Sequence, residues 1–281
     1  MSNDSRIARR FAALAKERRG GLITFITAGD PDLGTSMAIL RGLPKAGADF
    51  IEVGIPFSDP MADGPAIQAA SLRALKAGQT LKRTIGMVAA LRSSDNETPI
   101  ILMGYYNPIY VFGVKAFVAE ARKAGVDALI IVDLPPEECV ELLGPARAAG
   151  LELIFLVAPT TDDHRLPAVL HHARGFLYFV SITGVTGTAS PSLADVAASV
   201  GRLRQHTKLP IAVGFGIRSP HQAAAIASIA DACVVGSALV DTIAENLDGQ
   251  GVPNPGLTEA VLGLVRELSR GVRSSARATT E

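Results

Sequence analysis

An acidic residue inside an apolar segment is the first candidate for chemistry in this sequence. Glu52 lies in the run 50–55 (FIEVGI), where its neighbours along the chain are apolar. A carboxyl group in such surroundings is either paired or has its pKa raised by desolvation. A raised pKa lets one carboxyl group act as both acid and base near neutral pH. A structural glutamate bound to a backbone group or to an arginine is the alternative.

A second carboxylate follows shortly after the first. Asp63 lies in the loop 57–65 (FSDPMADGP), which also contains Asp59. Aspartates among proline and glycine are also typical of an ordinary turn, and either one could cap a helix that begins near Pro65. Two carboxylates from adjacent segments favour the catalytic interpretation, with Glu52 and Asp63 as the groups that move protons.

Glycine-rich turns indicate a phosphate site. They occur at 184–187 (GVTG), 214–216 (GFG) and 236–237 (GS), after the last three predicted strands. Glycine lets backbone N–H groups approach an anion closely, and a helix that starts near Ser237 would add its N-terminus. The sequence therefore predicts phosphate contacts at Gly187, Gly216, Gly236 and Ser237. Tight strand-to-helix turns without a ligand are the alternative.

The placement of the remaining reactive residue types narrows the chemistry. No lysine lies at the predicted C-terminal end of a strand, where a Schiff-base aldolase would need one. The five histidines lie on predicted helices or their flanks, and the two cysteines are too scattered for a zinc site or a disulfide framework. We therefore expect acid–base chemistry without a metal or a cofactor, acting on a small phosphorylated substrate.

The elements that must position these residues alternate along the chain. Near-continuous apolar runs are typical of parallel strands that are buried on both faces. They lie at 22–27, 48–53, 98–103, 126–132, 151–157, 176–180, 210–214 and 231–235. Amphipathic helical segments separate them, at 33–46, 65–77, 80–92, 114–124, 136–149, 192–206 and 220–228.

Eight such units predict a single α/β domain, a (β/α)8 TIM barrel. An additional helix at 5–18 precedes the first strand, and the helix at 80–92 is an extra one in a long connection. The predicted barrel domain spans 1–271 and ends in a helix at about 257–269, and 272–281 is expected to be a disordered tail. The active site should lie where the strands end, at the C-terminal face of the barrel.

Composition excludes several classes of partner. The 281 residues include 27 Lys+Arg and 27 Asp+Glu, so the formal net charge is zero. A neutral chain with 5% aromatic residues and no tryptophan lacks the charge and stacking surface that nucleic acids or anionic membranes select. No apolar stretch approaches the ~18 residues of a transmembrane helix, so a cytoplasmic location is expected.

Taken together, these motifs resemble the tryptophan synthase alpha chain family over nearly the whole length. The matching segments are 25–31 (FITAGDP), 52–60 (EVGIPFSDP), 62–68 (ADGPAIQ), 105–108 (YYNP), 133–135 (DLP), 184–188 (GVTGT), 214–217 (GFGI) and 236–238 (GSA). The resemblance implies a carbon–carbon lyase of tryptophan biosynthesis. Such an enzyme cleaves indole-3-glycerol phosphate to indole and glyceraldehyde 3-phosphate.

The resemblance also implies a role for individual residues. Glu52 would protonate indole C3 and take the proton from the side-chain hydroxyl, while Asp63 would accept a hydrogen bond from the indole N–H. Thr186 would bond Asp63 when the loops 56–63 and 182–192 close over the substrate. The indole pocket would be lined by Phe25, Met103, Ile130, Tyr178 and Phe215. A plain core role is the alternative for Met103, Ile130 and Tyr178.

A partner is implied as well. Members of the family bind a beta chain that carries pyridoxal phosphate (PLP), in an alpha2beta2 heterotetramer, and pass indole to it. The loops around 56–62 and 105–112 would face that chain, and the cofactor would belong to it. Some members have arginine where this chain has Ile182. The alternatives are a free-standing lyase, another phosphate-binding barrel such as a sugar-phosphate isomerase, and a non-catalytic phosphate-binding activator subunit.

Overall fold

Strands and helices alternate through the structure, a computed structural model that describes residues 5–181 and 192–275. Within these residues the strands are β1 Gly21–Thr27, β2 Phe50–Gly54, β3 Ile100–Gly104, β4 Ala128–Ile131, β5 Glu152–Leu153, β6 Leu156–Val157, β7 Leu177–Val180, β8 Ile211–Gly214 and β9 Ala232–Val235. The helices are α1 Arg6–Lys16, α2 Leu33–Ala46, α3 Pro65–Lys76, α4 Leu81–Arg92, α5 Tyr106–Phe112, α6 Val114–Ala124, α7 Val140–Ala149, α8 Leu166–His172, α9 Leu193–His206, α10 Pro220–Ile229, α11 Ser237–Glu245 and α12 Leu257–Ser274.

The helices begin and end at residues suited to those positions. The Asp32 carboxylate accepts a hydrogen bond from the Thr35 N–H at 2.9 Å and caps the start of α2. Gly47 ends the same helix with a φ of 109°, a left-handed conformation that glycine adopts without steric cost. Local sequence therefore defines where the chain leaves each helix for the next strand.

All strand pairs are parallel, in the order β5-β4-β3-β2-β1-β9-β8-β7-β6. The two edge strands belong to one segment: β5 pairs with β4, and β6 pairs with β7. The segment 152–157 therefore joins both ends of the sheet and closes the barrel. This confirms the predicted TIM-barrel architecture and corrects one strand. Between Ile154 and Phe155 the backbone bonds change from the β4 side to the β7 side, so the single strand predicted at 151–157 is split.

Two layers of apolar side chains form the core. The larger layer packs the outer face of the sheet against the helices. The smaller one fills the barrel interior, where α1 contributes Ile7, Phe11 and Leu14. The Phe11 ring lies 4.6 Å from the Phe50 ring and 5.7 Å from the Phe176 ring. The predicted N-terminal helix thus plugs the bottom of the barrel.

Aspartates that precede three of the strands form a repeated feature at the base. The carboxylates of Asp49, Asp127 and Asp231 accept the backbone N–H of Leu22, Ile100 and Ile211, at 3.0, 2.9 and 2.9 Å. Each carboxylate also pairs with an arginine, namely Arg19, Arg92 and Arg204 at 2.8, 2.8 and 3.1 Å. The same residue type thus connects neighbouring strands at three places around the barrel.

Other differences from the sequence-based expectation are local. The helices α5 and α8 were not predicted, because seven residues each are too few to show a helical period. The last helix extends to Ser274, so 272–274 do not belong to the tail expected at 272–281. Residues 276–281 lie outside the described part of the chain.

Candidate active site

The structure buries Glu52 completely inside the mouth of the barrel. Glu52 lies on β2, in register with Phe25 on β1 and Ile101 on β3, and its exposed fraction is 0%. Among residues 5–181 and 192–275, neither carboxylate oxygen has a hydrogen-bond partner. Desolvation therefore raises the pKa of Glu52 from 4.5 to about 8. The sequence left two interpretations of Glu52 open, a paired structural glutamate and an unpaired carboxyl group with a raised pKa. The structure shows the unpaired carboxyl group.

Strand alternation explains why a carboxyl group stands there. Phe50 and Glu52 are two residues apart on β2, so their side chains point to the same face. Phe50 packs against the α1 plug, and Glu52 lies one layer higher, towards the C-terminal end of the strand. The mouth of the barrel thus begins at Glu52, directly above an aromatic floor.

Asp63 reaches the same mouth from the loop after β2. Its side chain is half-buried, and its backbone carbonyl accepts a hydrogen bond from Gln68 Nε2 at 2.8 Å. Desolvation raises the pKa of Asp63 from 3.8 to about 6, and a hydrogen bond from Tyr105 opposes that rise. At neutral pH Glu52 is therefore mainly protonated while Asp63 is mainly ionised.

Both carboxyl groups line one cavity of about 490 Å³ at the C-terminal ends of the strands. Its lining combines the acidic pair with a mainly apolar wall, formed by Phe25, Ile67, Met103, Val132, Leu156, Tyr178, Val180, Phe215, Ile217 and Val234. A second cavity of about 280 Å³ shares Val132 and Leu156 with this wall but contains neither carboxyl group. The larger cavity is therefore the candidate active site.

Four of the five predicted pocket residues reach this cavity: Phe25, Met103, Tyr178 and Phe215. The Phe25 ring fits because β2 ends in glycine, since a Cβ at Gly54 would lie 2.5 Å from Phe25 Cζ. The fifth, Ile130, is fully buried in the barrel interior beside the α1 plug and is not among the cavity's lining residues. Strand position alone did not distinguish these two depths of the barrel.

Tyr178 stands next to both carboxyl groups. It is 8% exposed, and burial together with the charges of Glu52 and Asp63 raises its pKa well above the ordinary value. Its hydroxyl therefore keeps its proton at neutral pH. The side chain offers the cavity a neutral polar group near the acidic pair.

The predicted phosphate residues lie at one end of the same cavity. Gly216, Gly236 and Ser237 line it, and α11 begins at Ser237. The first N–H groups of a helix have no partner within the helix and carry a partial positive charge, which suits an anion. Gly216 has a φ of 65°, a conformation that favours glycine.

Two predicted site residues, Thr186 and Gly187, lie outside the described residues, as does most of the loop 182–192. Their roles remain predictions. Other cavity residues were missed by the sequence-based reasoning, among them Val180 and Val234. The sequence could have placed Val180 in the cavity, because Val180 lies two residues after Tyr178 on β7 and strand alternation puts both side chains on one face.

Candidate metal sites and membrane-spanning helices are both absent from the part of the chain that the structure describes. No group of three or more His, Cys, Asp or Glu residues there could hold a metal ion. None of the helices there is long and apolar enough to span a membrane. No lysine lines the described part of the cavity, so a Schiff base with an aldehyde cofactor has no partner among these lining residues.

Known proteins share both the sequence pattern and the fold. The family model described as tryptophan synthase alpha chain matches residues 11–261. The crystal structure of the tryptophan synthase alpha chain from Legionella pneumophila subsp. pneumophila is 37% identical, with a TM-score of 0.87 over 95% of this chain and 97% of that chain. Tryptophan synthase from M. tuberculosis, in an open form with BRD0059 bound, is 35% identical, with a TM-score of 0.85 over 96% of this chain and 99% of that chain.

Proposed function

The chain belongs to the tryptophan synthase alpha chain family, and from that premise we propose that it cleaves indole-3-glycerol phosphate to indole and glyceraldehyde 3-phosphate. The proposed enzyme is a carbon–carbon lyase of tryptophan biosynthesis. It uses acid–base catalysis by its own side chains, without a metal or a cofactor in this chain.

One observation supports this proposal above all others: two carboxyl groups line one cavity in different surroundings, Glu52 fully buried without a partner among the described residues and Asp63 half-buried. Burial without a partner raises the pKa of Glu52 to about 8, whereas the pKa of Asp63 rises only to about 6. Environments that separate two pKa values in this way assign one group as an acid and leave the other as an anion. The retro-aldol reaction needs both.

The proposed steps follow from these protonation states. Glu52 donates its proton to indole C3, and the positive charge that develops on the ring is stabilised as the indole N–H bonds to the Asp63 carboxylate. The ionised Glu52 then removes the proton from the side-chain hydroxyl. The oxygen electrons form the aldehyde carbonyl, the bond to C3 breaks, and its electron pair restores the indole. Glu52 is protonated again at the end, so no other reactant is consumed.

The cavity offers a complementary surface for each part of this substrate. Its apolar wall suits the indole ring, with Phe25, Met103 and Phe215 as the predicted contacts. The end near Gly216, Gly236 and Ser237 suits the phosphate. A cavity of about 490 Å³ is in the usual range for a small-molecule site.

The family also supports a beta chain as the partner, and we extend the proposal to an alpha2beta2 heterotetramer in which indole passes to a PLP enzyme. Large apolar side chains are exposed in the two segments expected to face that partner, which the structure shows to be the loop after β2 and the helix α5. Met61 is 74% exposed, Tyr110 61% and Val111 78%. Apolar groups of this kind favour a protein interface over free solvent.

The decisive assay measures indole released from indole-3-glycerol phosphate by the purified chain, and then with a beta chain added. We expect slow release alone and faster release in the complex. Full activity without the beta chain would indicate a free-standing lyase. Binding of the substrate without any release, alone or in the complex, would instead indicate a non-catalytic activator and overturn the proposal.

A further inference from the structure

A buried tyrosine contacts the catalytic loop at two places. Tyr105 follows β3 and precedes α5, and it is 2% exposed. Its ring lies 5.2 Å from the Phe57 ring at an interplanar angle of 32°. Its hydroxyl accepts a hydrogen bond from the Ala62 N–H at 3.0 Å. The same side chain thus contacts the loop near its start at Phe57 and near its end at Ala62.

The hydroxyl also lies beside the Asp63 side chain: the two residues line one small cavity, and a hydrogen bond from Tyr105 lowers the pKa of Asp63. A phenol has one proton to donate and lone pairs that accept. Because the Ala62 N–H donates to the oxygen, the phenolic proton is free to be donated to Asp63. One oxygen therefore fixes the backbone beside Asp63 and its carboxylate at the same time.

We propose that Tyr105 is a positioning residue for the cleavage reaction, which holds the 57–63 loop and orients the Asp63 carboxylate towards the cavity. The inference rests on the proposed function for its catalytic consequence. The positioning itself rests only on the ring contact, the Ala62 hydrogen bond and the bond to Asp63. Tyr105 acts through Asp63 and is not itself among the residues that line the large cavity.

The arrangement has an electrostatic consequence. Desolvation raises the pKa of Asp63, and the Tyr105 bond works against it because a donated hydrogen bond favours the charged form. The other titratable groups nearby are Glu52 on β2, Tyr178 on β7, and Asp133, whose charge acts on Tyr105. At neutral pH Tyr178 and Glu52 are mainly uncharged. The Tyr105 hydroxyl thus keeps the pKa of Asp63 lower than burial alone would leave it.

The test is Tyr105→Phe, which keeps the ring against Phe57 and removes only the hydroxyl. Tyr106→Phe is the matched control, because the Tyr106 hydroxyl bonds Glu141 at 2.5 Å at the surface. The carboxyl resonance of Asp63 is titrated by carbon-13 NMR in both variants and assigned with Asp63→Asn. The pH dependence of kcat and KM is measured on the same samples.

We expect Tyr105→Phe to move the Asp63 titration and the acid limb of kcat upward by about one pH unit. Such a shift lowers kcat about fivefold at pH 6 and leaves KM nearly unchanged, because the loss concerns the transition state. Tyr106→Phe should leave both profiles in place.

An unchanged Asp63 titration in Tyr105→Phe would overturn the inference, as would an equal shift in Tyr106→Phe. The NMR titration needs no substrate, so it tests the positioning even if the wild-type chain releases no indole. Absence of indole release would overturn the proposed function alone. A shifted titration with an unshifted kcat profile would also contradict Tyr105 as a positioning residue for this reaction.

Discussion

At the scale of single residues, burial gives two similar carboxyl groups different properties. Glu52 has no partner among the described residues and is fully buried, whereas Asp63 is half-buried and bonded to Tyr105. The sequence could place an acidic residue in an apolar strand, and that was enough to predict a raised pKa. It could not show that Tyr105, 42 positions later along the chain, opposes the rise at Asp63, because that contact exists only in the closed barrel.

The buried Glu52 should make stability depend on pH. Its pKa is about 8 in the folded chain against an ordinary 4.5. Between these values the unfolded chain loses the proton that the folded chain keeps. The contribution of Glu52 to wild-type stability therefore falls as pH rises through this window, by up to about 1.4 kcal/mol per pH unit. In Glu52→Gln this contribution is absent.

Chemical denaturation of wild type and Glu52→Gln from pH 4.5 to 8 measures this slope. The advantage of the variant should grow steadily with pH. Glu120→Gln, an exposed glutamate on α6, should follow the wild type throughout. Parallel curves for wild type and Glu52→Gln would show that Glu52 ionises normally in the folded chain.

Asp63 should matter for rate more than for folding. Asp63→Asn removes the charge that stabilises the positive indole ring, and we expect kcat to fall by about 10²–10³-fold. Asp59→Asn changes an exposed aspartate of the same loop and should keep kcat near the wild-type value. Steady-state indole release by the isolated chain compares the two. Equal losses in both variants would assign the effect to the loop and not to the Asp63 charge.

At the scale of elements, the two ends of the barrel have separate tasks. At the base, α1 and the three aspartates close the barrel, while the C-terminal ends of the strands carry the cavity. Most strands and helices were predictable, because apolar runs and capping residues are local signals. The division of the predicted strand 151–157 between Ile154 and Phe155 could not be predicted, because it depends on which neighbouring strand each residue pairs with in the closed sheet.

The buried base should contribute to stability without affecting catalysis. Asp49→Asn breaks the bidentate pair with Arg19, both of whose bonds are 2.8–2.9 Å long. Removing one partner of a buried ion pair costs about 3–5 kcal/mol. Asp163→Asn is the control: Asp163 is 60% exposed and pairs with Arg202, so its loss should cost less than about 1 kcal/mol.

Urea denaturation gives both stability changes, and kcat of the folded fraction gives the catalytic comparison. We expect a large loss of stability for Asp49→Asn with a normal kcat. A loss of kcat equal to that of Asp63→Asn would mean that the base and the mouth are coupled.

At the scale of the whole molecule, the barrel and its family were accessible from the sequence because several motifs occur in order at barrel spacing. The depth at which each side chain lies inside the barrel could not be predicted from the sequence. Met103 and Ile130 lie opposite one another on neighbouring strands, yet only Met103 lines the cavity. Which residues lie in the same layer depends on how the strands are staggered around the barrel, which no short segment of sequence encodes.

The proposed partner surface can be tested with one substitution. Val111→Asp places a charge on an exposed apolar position of α5 and should weaken binding of a beta chain by at least about tenfold. Val252→Asp alters a similarly exposed valine in the loop before α12 and should bind normally. Titration calorimetry gives both affinities. Normal binding by Val111→Asp would place the interface elsewhere, and neither variant should change cleavage by the isolated chain.

The central claim is that the proton on the buried Glu52 drives cleavage. The most direct measurement compares wild type with Glu52→Gln at neutral pH, recording indole release and binding of indole-3-glycerol phosphate on the same samples. Glutamine keeps the shape of the side chain but cannot donate and recover a proton. We predict that binding persists while indole release is abolished. Indole release by Glu52→Gln at the wild-type rate would contradict the claim.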